Sequence, residues 1–269
     1  MLGPHLDFPN ARVFHCGGCG HAFAYPEPPI EWLDTYYRDI YSPRRAGWVD
    51  QPYIDIMKRR AAAQTEFIAA HWPAAGENGF SGINAVELGC GIGALTAALG
   101  ACGARVRGSD GDHKIIEIGR KAFPGADICC AQFQDELAHE PLNLIAMSHV
   151  VEHMVSVEST LQDLKRRLIP GRSAMFIEVP NTFAEQFAQQ LDMETHVHFF
   201  TATSLRILLE RTGFLVEACR GCGPTFERLL AHPAGAPAQD LFGDDYGIYH
   251  DGPNPDGIWI RALATLPQD

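Results

Sequence analysis

The stretch that decides the fold is Ala85-Val86-Glu87-Leu88-Gly89-Cys90-Gly91-Ile92-Gly93-Ala94-Leu95-Thr96. An apolar run with a β-branched start, Ile83 to Leu88, ends in glycines at alternate positions, and small residues follow from Ala94 to Leu99. That order predicts a strand, a tight turn and a helix start, the unit that sets a nucleotide-like ligand against backbone N–H groups. Glycines at the turn let the main chain approach a ligand closely and adopt φ values that a side chain forbids. The spacing G-x-G-x-G differs from the G-x-G-x-x-G that accompanies a pyrophosphate. Glu87 stands two residues before the first glycine, where a carboxylate repels phosphate and suits a cation.

Glu87-Leu-Gly-Cys-Gly-Ile-Gly93 resembles motif I of class I S-adenosylmethionine (SAM)-dependent methyltransferases. Their cofactor carries a sulfonium and an ammonium and no phosphate. The resemblance extends over about residues 50–265 and implies an α/β fold: a seven-stranded Rossmann-like sheet, its last strand antiparallel, with helices on both faces. Strands alternating with helices along the chain agree, and such sheets hold ligands outside the strands' C-terminal ends. Glu87, Gly89, Gly91, Gly93 and Asp110 are the expected SAM-binding residues. Asp110 ends a predicted second strand, 104–110, where a carboxylate suits the ribose hydroxyls; capping of the next helix is its other reading. Gln132 ends the third strand where the family commonly shows an acid on the adenine amino group. A Gln amide oxygen accepts the same hydrogen bond.

The 269 residues allow one large α/β domain with a small appendage. Residues 1–52 read as an N-terminal cap and 53–269 as the methyltransferase domain. A net charge of −12 excludes nucleic acid and anionic membranes as expected partners, because no basic excess is available to neutralise phosphates. The runs Lys58-Arg59-Arg60 and Lys165-Arg166-Arg167 read as solvated helix faces. No signal-peptide pattern opens the chain and no apolar run is long enough for a bilayer, so a cytoplasmic protein is expected. Oligomeric state is not legible.

Five of the seven tyrosines and two of the four tryptophans lie between Tyr25 and Tyr53. Exposing that cluster would be costly, so it reads either as a lid over a ligand site or as a second small core. Four of the eight cysteines form two pairs, Cys16-x-x-Cys19-Gly and Cys219-x-x-Cys222-Gly. Each resembles one knuckle of a zinc ribbon, and four thiolates make a closed structural site. The first pair, with the Pro-rich turn and aromatics after it, is similar to the zinc-binding N-terminal region of sugar C-methyltransferases. A zinc clamp tying the lid to the sheet is one reading, and knuckles without metal are the other.

Methyl transfer from a sulfonium is an in-line displacement, so the protein supplies positioning, desolvation and, for a hydroxyl acceptor, proton removal. Two histidine pairs stand past strand ends. His149-Val-Val-Glu152-His153 resembles the H-V-x-E-H element of quinone- and sugar-modifying methyltransferases, and on a helix His149 and His153 would share a face. His196-Val-His198-Phe-Phe-Thr201 is similar to the H-x-H-F-F-T segment of the same group. His149, His153, His196 and His198 are the candidate bases or acceptor ligands. His149, Glu152, His153 and His198 are also suitable metal ligands. Quinone-modifying relatives with E-x-x-E-H use a divalent cation, but here His149 replaces the first acid. The function these residues imply is methyl transfer from SAM to a small molecule, on oxygen or carbon. Two alternatives are a non-catalytic SAM- or S-adenosylhomocysteine (SAH)-binding protein and a nicotinamide oxidoreductase, the latter opposed by the glycine spacing and Glu87.

Overall fold

The computed structural model describes the chain apart from residues 1, 6, 9, 76–78, 132–140, 183–194, 234–237, 244, 253 and 269. Alternating burial builds the first elements. In β3 (Ala22–Tyr25) the alanines are buried while Phe23 and Tyr25 face out. β3 pairs antiparallel with β2 (Arg12–His15), and β2 with β1 (Gly3–Pro4). The Cys16–Cys19 sequence is the turn between β2 and β3, with the Cys16 amide donating to the His21 carbonyl at 2.8 Å. α1 (Ile30–Tyr36), a π-helical stretch Tyr37–Tyr41 and α2 (Ser42–Ala46) then run on with one another.

α3 (Gln51–His71) starts at an Asp50 cap, whose carboxylate accepts the Tyr53 amide at 2.8 Å, with Pro52 in the first turn. It buries Ile56, Ala61, Phe67 and Ile68. The α/β series follows: β4 (Asn84–Leu88), α4 (Ala94–Ala101), β5 (Arg105–Asp110), α5 (His113–Ala122), β6 (Ile128–Cys130), β7 (Leu144–Ser148), α6 (Val157–Lys165) and β8 (Ala174–Pro180). The remainder is β9 (His198–Phe199), α7 (Ala202–Arg211), β10 (Leu215–Cys222), α8 (Phe226–Ala231), α9 (Ala238–Phe242), β11 (Tyr249–His250) and β12 (Trp259–Thr265).

Among the described residues the main sheet has the order β11-β10-β12-β8-β7-β4-β5-β6. β8, β7, β4, β5 and β6 are parallel neighbours, and β12 is antiparallel to both β8 and β10. This is the expected seven-stranded sheet with an antiparallel last strand, extended by the two-residue edge strand β11. Both faces are apolar. Val86, Leu88, Ile145, Met147, Ile177 and Ile260 meet α6 and α7 on one side. Ala85, Leu144, Ala146, Phe176 and Leu263 meet α3 and α4 on the other. Helix cover on both faces explains why the central strands read as continuous apolar runs.

The N-terminal segment is not a free-standing appendage. β9, nearly two hundred positions along the chain, completes its sheet in the order β1-β2-β3-β9, with Ala22 opposite Phe199 and Phe23 opposite His198. A separate small core of Phe8, Ala11, Ala24, Leu33 and Val197 forms beneath it. Trp32 and Tyr37 pack there too, so part of the aromatic cluster serves as a second core.

Candidate functional site

The glycine turn lies between β4 and α4. Gly89, Gly91 and Gly93 have φ of 68°, 56° and 79°, the left-handed region in which a side chain is strained. A Cβ on Gly89 would stand 2.4 Å from Val150 Cγ2, so that glycine also lets the segment after β7 close against the turn. Glu87 is turned inward. One of its oxygens accepts the Thr96 amide at 2.7 Å and the Thr96 hydroxyl at 2.5 Å, near the start of α4. Burial raises its pKa to about 7 against those hydrogen bonds. The acid therefore anchors the glycine turn to α4 and stands behind it.

Asp110 ends β5, as read from the sequence. One carboxylate oxygen accepts the Gly91 amide at 2.9 Å and the other the Asp112 amide at 2.9 Å. Capping of α5 falls instead to Asp112, which accepts the Lys114 and Ile115 amides. A third partner on Asp110 comes from the N-terminal segment: Arg45 Nη1 lies 3.5 Å from Asp110 Oδ2. Gln132 lies outside the described residues.

The histidines surround the opposite half of the turn. His149 has φ of 55°, and its neighbours after Val150 form a single 3-10 turn, Val151–His153. His149 and His153 are thus not stacked along an α-helix as their spacing implied; the left-handed residue folds them about Glu152 instead. His149 Nδ1 lies 3.3 Å from Glu152 Oε1 and its Nε2 3.8 Å from Glu178 Oε1. His153 Nε2 lies 3.9 Å from Glu152 Oε1, while its Nδ1 meets the Tyr37 hydroxyl at 3.0 Å and the Thr195 carbonyl at 3.2 Å. The His153 and His196 rings are 4.7 Å apart. Burial lowers the pKa of all three, that of His153 to about 4, so the imidazoles are neutral near pH 7. His198 departs from the group. It sits in β9 with its Nδ1 3.2 Å from His21 Nε2, across the N-terminal sheet.

Glu152, His153 and His196 each offer a ligand atom, and these atoms lie within 4.8 Å of one another. Two neutral imidazoles and a carboxylate are a donor set suited to a divalent cation. The Thr195 carbonyl on His153 Nδ1 is the outer-shell contact that leaves the other ring nitrogen free to ligate. The divalent cation implied by the quinone-modifying resemblance therefore fits these side chains, with His196 in the donor set and neither His149 nor His198 in it.

The four paired cysteines do not assemble. Cys16 and Cys19 share the β2–β3 turn, whereas Cys219 and Cys222 stand three positions apart in one strand and so point to opposite faces. Cys219 packs on the α7 side, its thiol donating to the Ala202 carbonyl at 3.4 Å. Cys222 is buried on the α3 side against Tyr246 and Trp259. Burial raises both thiols, to about 11 and about 12, the reverse of what thiolate ligands need. All eight cysteines are free thiols.

A buried ionic group beneath the histidines was not legible. Glu178, fully buried in β8, accepts from Arg60 Nε at 2.6 Å, from Gln64 at 3.0 Å and from Arg261. Burial works to raise its pKa, and the Arg261 and Arg60 guanidiniums overcome this and hold it at about 2. Arg60 is not on a solvated face: its guanidinium also lies 4.6 Å over the Trp259 ring. The available signal was Glu178 interrupting the apolar run 174–179, a carboxylate in a central strand that requires a buried cation.

A family model described as a methyltransferase domain matches residues 53–218. The mitochondrial ubiquinone biosynthesis O-methyltransferase of Mus musculus is 32% identical over 161 residues, 52% of this chain and 44% of that protein. The biotin biosynthesis bifunctional protein BioHC of Cellvibrio japonicus is 27% identical over 215 residues, 75% of this chain and 42% of that protein. The chain spans less than half the length of these curated relatives. Among solved structures, magnesium protoporphyrin IX methyltransferase of Synechocystis PCC 6803 with bound SAH superposes with a TM-score of 0.55 at 14% identity, covering 88% of this chain and 99% of that one. A SAM-dependent methyltransferase from Archaeoglobus fulgidus gives 0.53 at 16%, with the same coverage. At these identities the structural likeness speaks for the fold.

Proposed function

The chain belongs to the methyltransferase-domain family, and from that premise we propose that it transfers the methyl group of SAM to a hydroxyl of a small molecule. The single observation that carries this reading is the contact of Gly89 with Val150. It sets the glycine turn, where the cofactor binds, directly against the segment that carries the neutral histidines. Asp110, at the end of β5, takes the ribose. The names of the relatives, an O-methyltransferase of ubiquinone biosynthesis among them, support a small acceptor and transfer to oxygen.

Transfer proceeds in line: the acceptor oxygen forms a bond to the methyl carbon as the carbon–sulfur bond breaks, and the hydroxyl proton must leave. His149 is the base. Its Nδ1 faces the Glu152 carboxylate at 3.3 Å, which orients the ring. Nε2, buried without a hydrogen-bond partner and 3.8 Å from Glu178 Oε1, takes the proton once the acceptor enters, with the two carboxylates stabilising the imidazolium. Tyr37 and Thr195 hold His153 in place behind it. A divalent cation on Glu152, His153 and His196 would supply positive charge to the acceptor oxygen. The N-terminal residues 1–52 act as the cap over this site. A cytoplasmic location belongs to the same proposal, and the absence of a disulfide framework among the eight cysteines is what supports it.

The experiment is a transfer assay with methyl-labelled SAM against a panel of small phenols and catechols. His149→Gln is expected to lower kcat by about 100-fold, within the range for a positioned general base, while the SAM Kd changes less than twofold. Label transfer at wild-type rate by His149→Gln would remove His149 as the base. SAM binding with no transfer to any acceptor would favour a non-catalytic binder.

A further inference from the structure

The cation nearest the glycine turn has no role in the reading above. Arg45 stands on α2, outside the residues that match the family model, and reaches back over the opening between β4 and β5. Its Nη1 is 3.5 Å from Asp110 Oδ2. Its Nη2 is so close to the turn that a Cβ on Gly91 would stand 2.7 Å from it. The Tyr41 ring lies 5.9 Å from the guanidinium, and the side chain is 25% exposed. Both oxygens of Asp110 already accept backbone amides, so its remaining capacity is the part a ribose would use and the part Arg45 takes.

For both ribose hydroxyls to bond Asp110, Arg45 must give up its place on Oδ2, because Oδ1 has one acceptor site left beside the Asp112 amide. The guanidinium is held by α2 beside Gly91, and a largely enclosed cation that loses its carboxylate needs another anion. SAM and SAH carry one anionic group, the amino-acid carboxylate. We propose that Arg45 exchanges Asp110 for that carboxylate, and so makes the N-terminal segment select cofactors that bear an amino acid. The exchange is balanced in charge: one ion pair is given up and one is formed, and a planar guanidinium suits a carboxylate in two-pronged contact. A ligand with the same adenosine and thioether but no amino acid breaks the pair with Asp110 and returns nothing. This inference rests on the assignment of residues 89–110 to the cofactor.

The test is calorimetric titration of the full chain with SAH and with 5′-methylthioadenosine, using wild type, Arg45→Ala, Arg45→Lys and, as control, Arg44→Ala. Arg44 stacks on Trp48 and is remote from Asp110 in its contacts. Thermal melts check that each variant folds. The wild type and Arg44→Ala are expected to prefer SAH strongly. Arg45→Ala should lower the ratio of SAH to methylthioadenosine affinity by about 10- to 100-fold, the worth of a charged hydrogen-bonded contact, chiefly through tighter methylthioadenosine binding. Arg45→Lys should fall between. If Arg45→Ala leaves the ratio of the two affinities unchanged, or tightens both ligands by one factor, Arg45 only obstructs the site and the proposal falls. If the wild type binds neither ligand, the cofactor assignment itself falls and takes this inference with it.

Discussion

At the scale of single residues, conformation decides what each side chain does here. Gly89 combines a left-handed backbone with no room for a side chain, since Val150 fills the space where a Cβ would lie. Gly89→Ala is expected to cost about 1–2 kcal/mol from backbone strain, with additional loss as Val150 is pushed away. Chemical denaturation would read the stability, and SAM titration would show weakened binding; a variant as stable as wild type would mean the turn tolerates a different path. The glycine positions and Asp110 were legible because they follow from spacing and strand ends. The conformation of His149 was not. A four-residue spacing of histidines implies a helical face, whereas a non-glycine residue at φ of 55° is a local choice imposed by closure of the segment onto Glu178 and the turn. The His149 amide donates to the Glu178 carbonyl at 2.8 Å, which fixes that closure.

At the scale of elements, α3 connects the side of the glycine turn to the side of the histidines. Its Arg60 and Gln64 descend onto the ends of β7 and β8, reaching Ser148 and Glu178, and Arg261 of β12 meets Glu178 from the next strand. Removing the charge of Glu178 leaves two buried guanidiniums without their counter-ion. Glu178→Gln is expected to destabilise the fold by about 3–5 kcal/mol, the cost of breaking a buried pair from one side, measured by urea unfolding. Replacing Glu178 and Arg261 together by leucine and methionine should recover part of it. If the single variant unfolds at the wild-type midpoint, the ionic group contributes nothing to stability. The strands and helices of this region were readable from apolar periodicity and glycine breaks. Their ionic pairing was not, because a basic triplet on a helix reads the same whether its third member faces water or a strand end.

At the scale of the whole molecule, buried histidines set the response to acid. Burial depresses His5, His21, His149, His153, His196 and His198, with His21 and His153 each near 4. Above the unfolded value of about 6.5 both states are neutral and stability is complete. As pH falls from there towards 4, the unfolded chain takes up protons that the fold refuses, at about 3 kcal/mol for each of these two groups. Glu87, raised to about 7, acts in the opposite sense: its contribution is complete below about 4.5 and is lost as pH rises through 7, about 3 kcal/mol in all. Glu178, held at about 2, loses its contribution only below about 4.5. The balance of His21, His153 and Glu87 is a loss of about 3 kcal/mol between pH 7 and pH 4, deepened by the other histidines. Denaturant unfolding at the two pH values measures it, and equal midpoints would refute it.

The pairing of β3 with β9 also bears on how the chain is made. Residues 22–25 leave the ribosome early, but the strand that covers their edge, His198–Phe199, is synthesised about 175 residues later, some 9–35 s at ordinary elongation rates. Throughout that interval the nascent N-terminus presents an open strand edge carrying Phe23 and Tyr25, the kind of edge that recruits foreign strands. Synthesis of β9 thus closes the sheet, and a ribosome stalled before residue 199 would hold a chain whose β3 edge stays open to pairing with another strand.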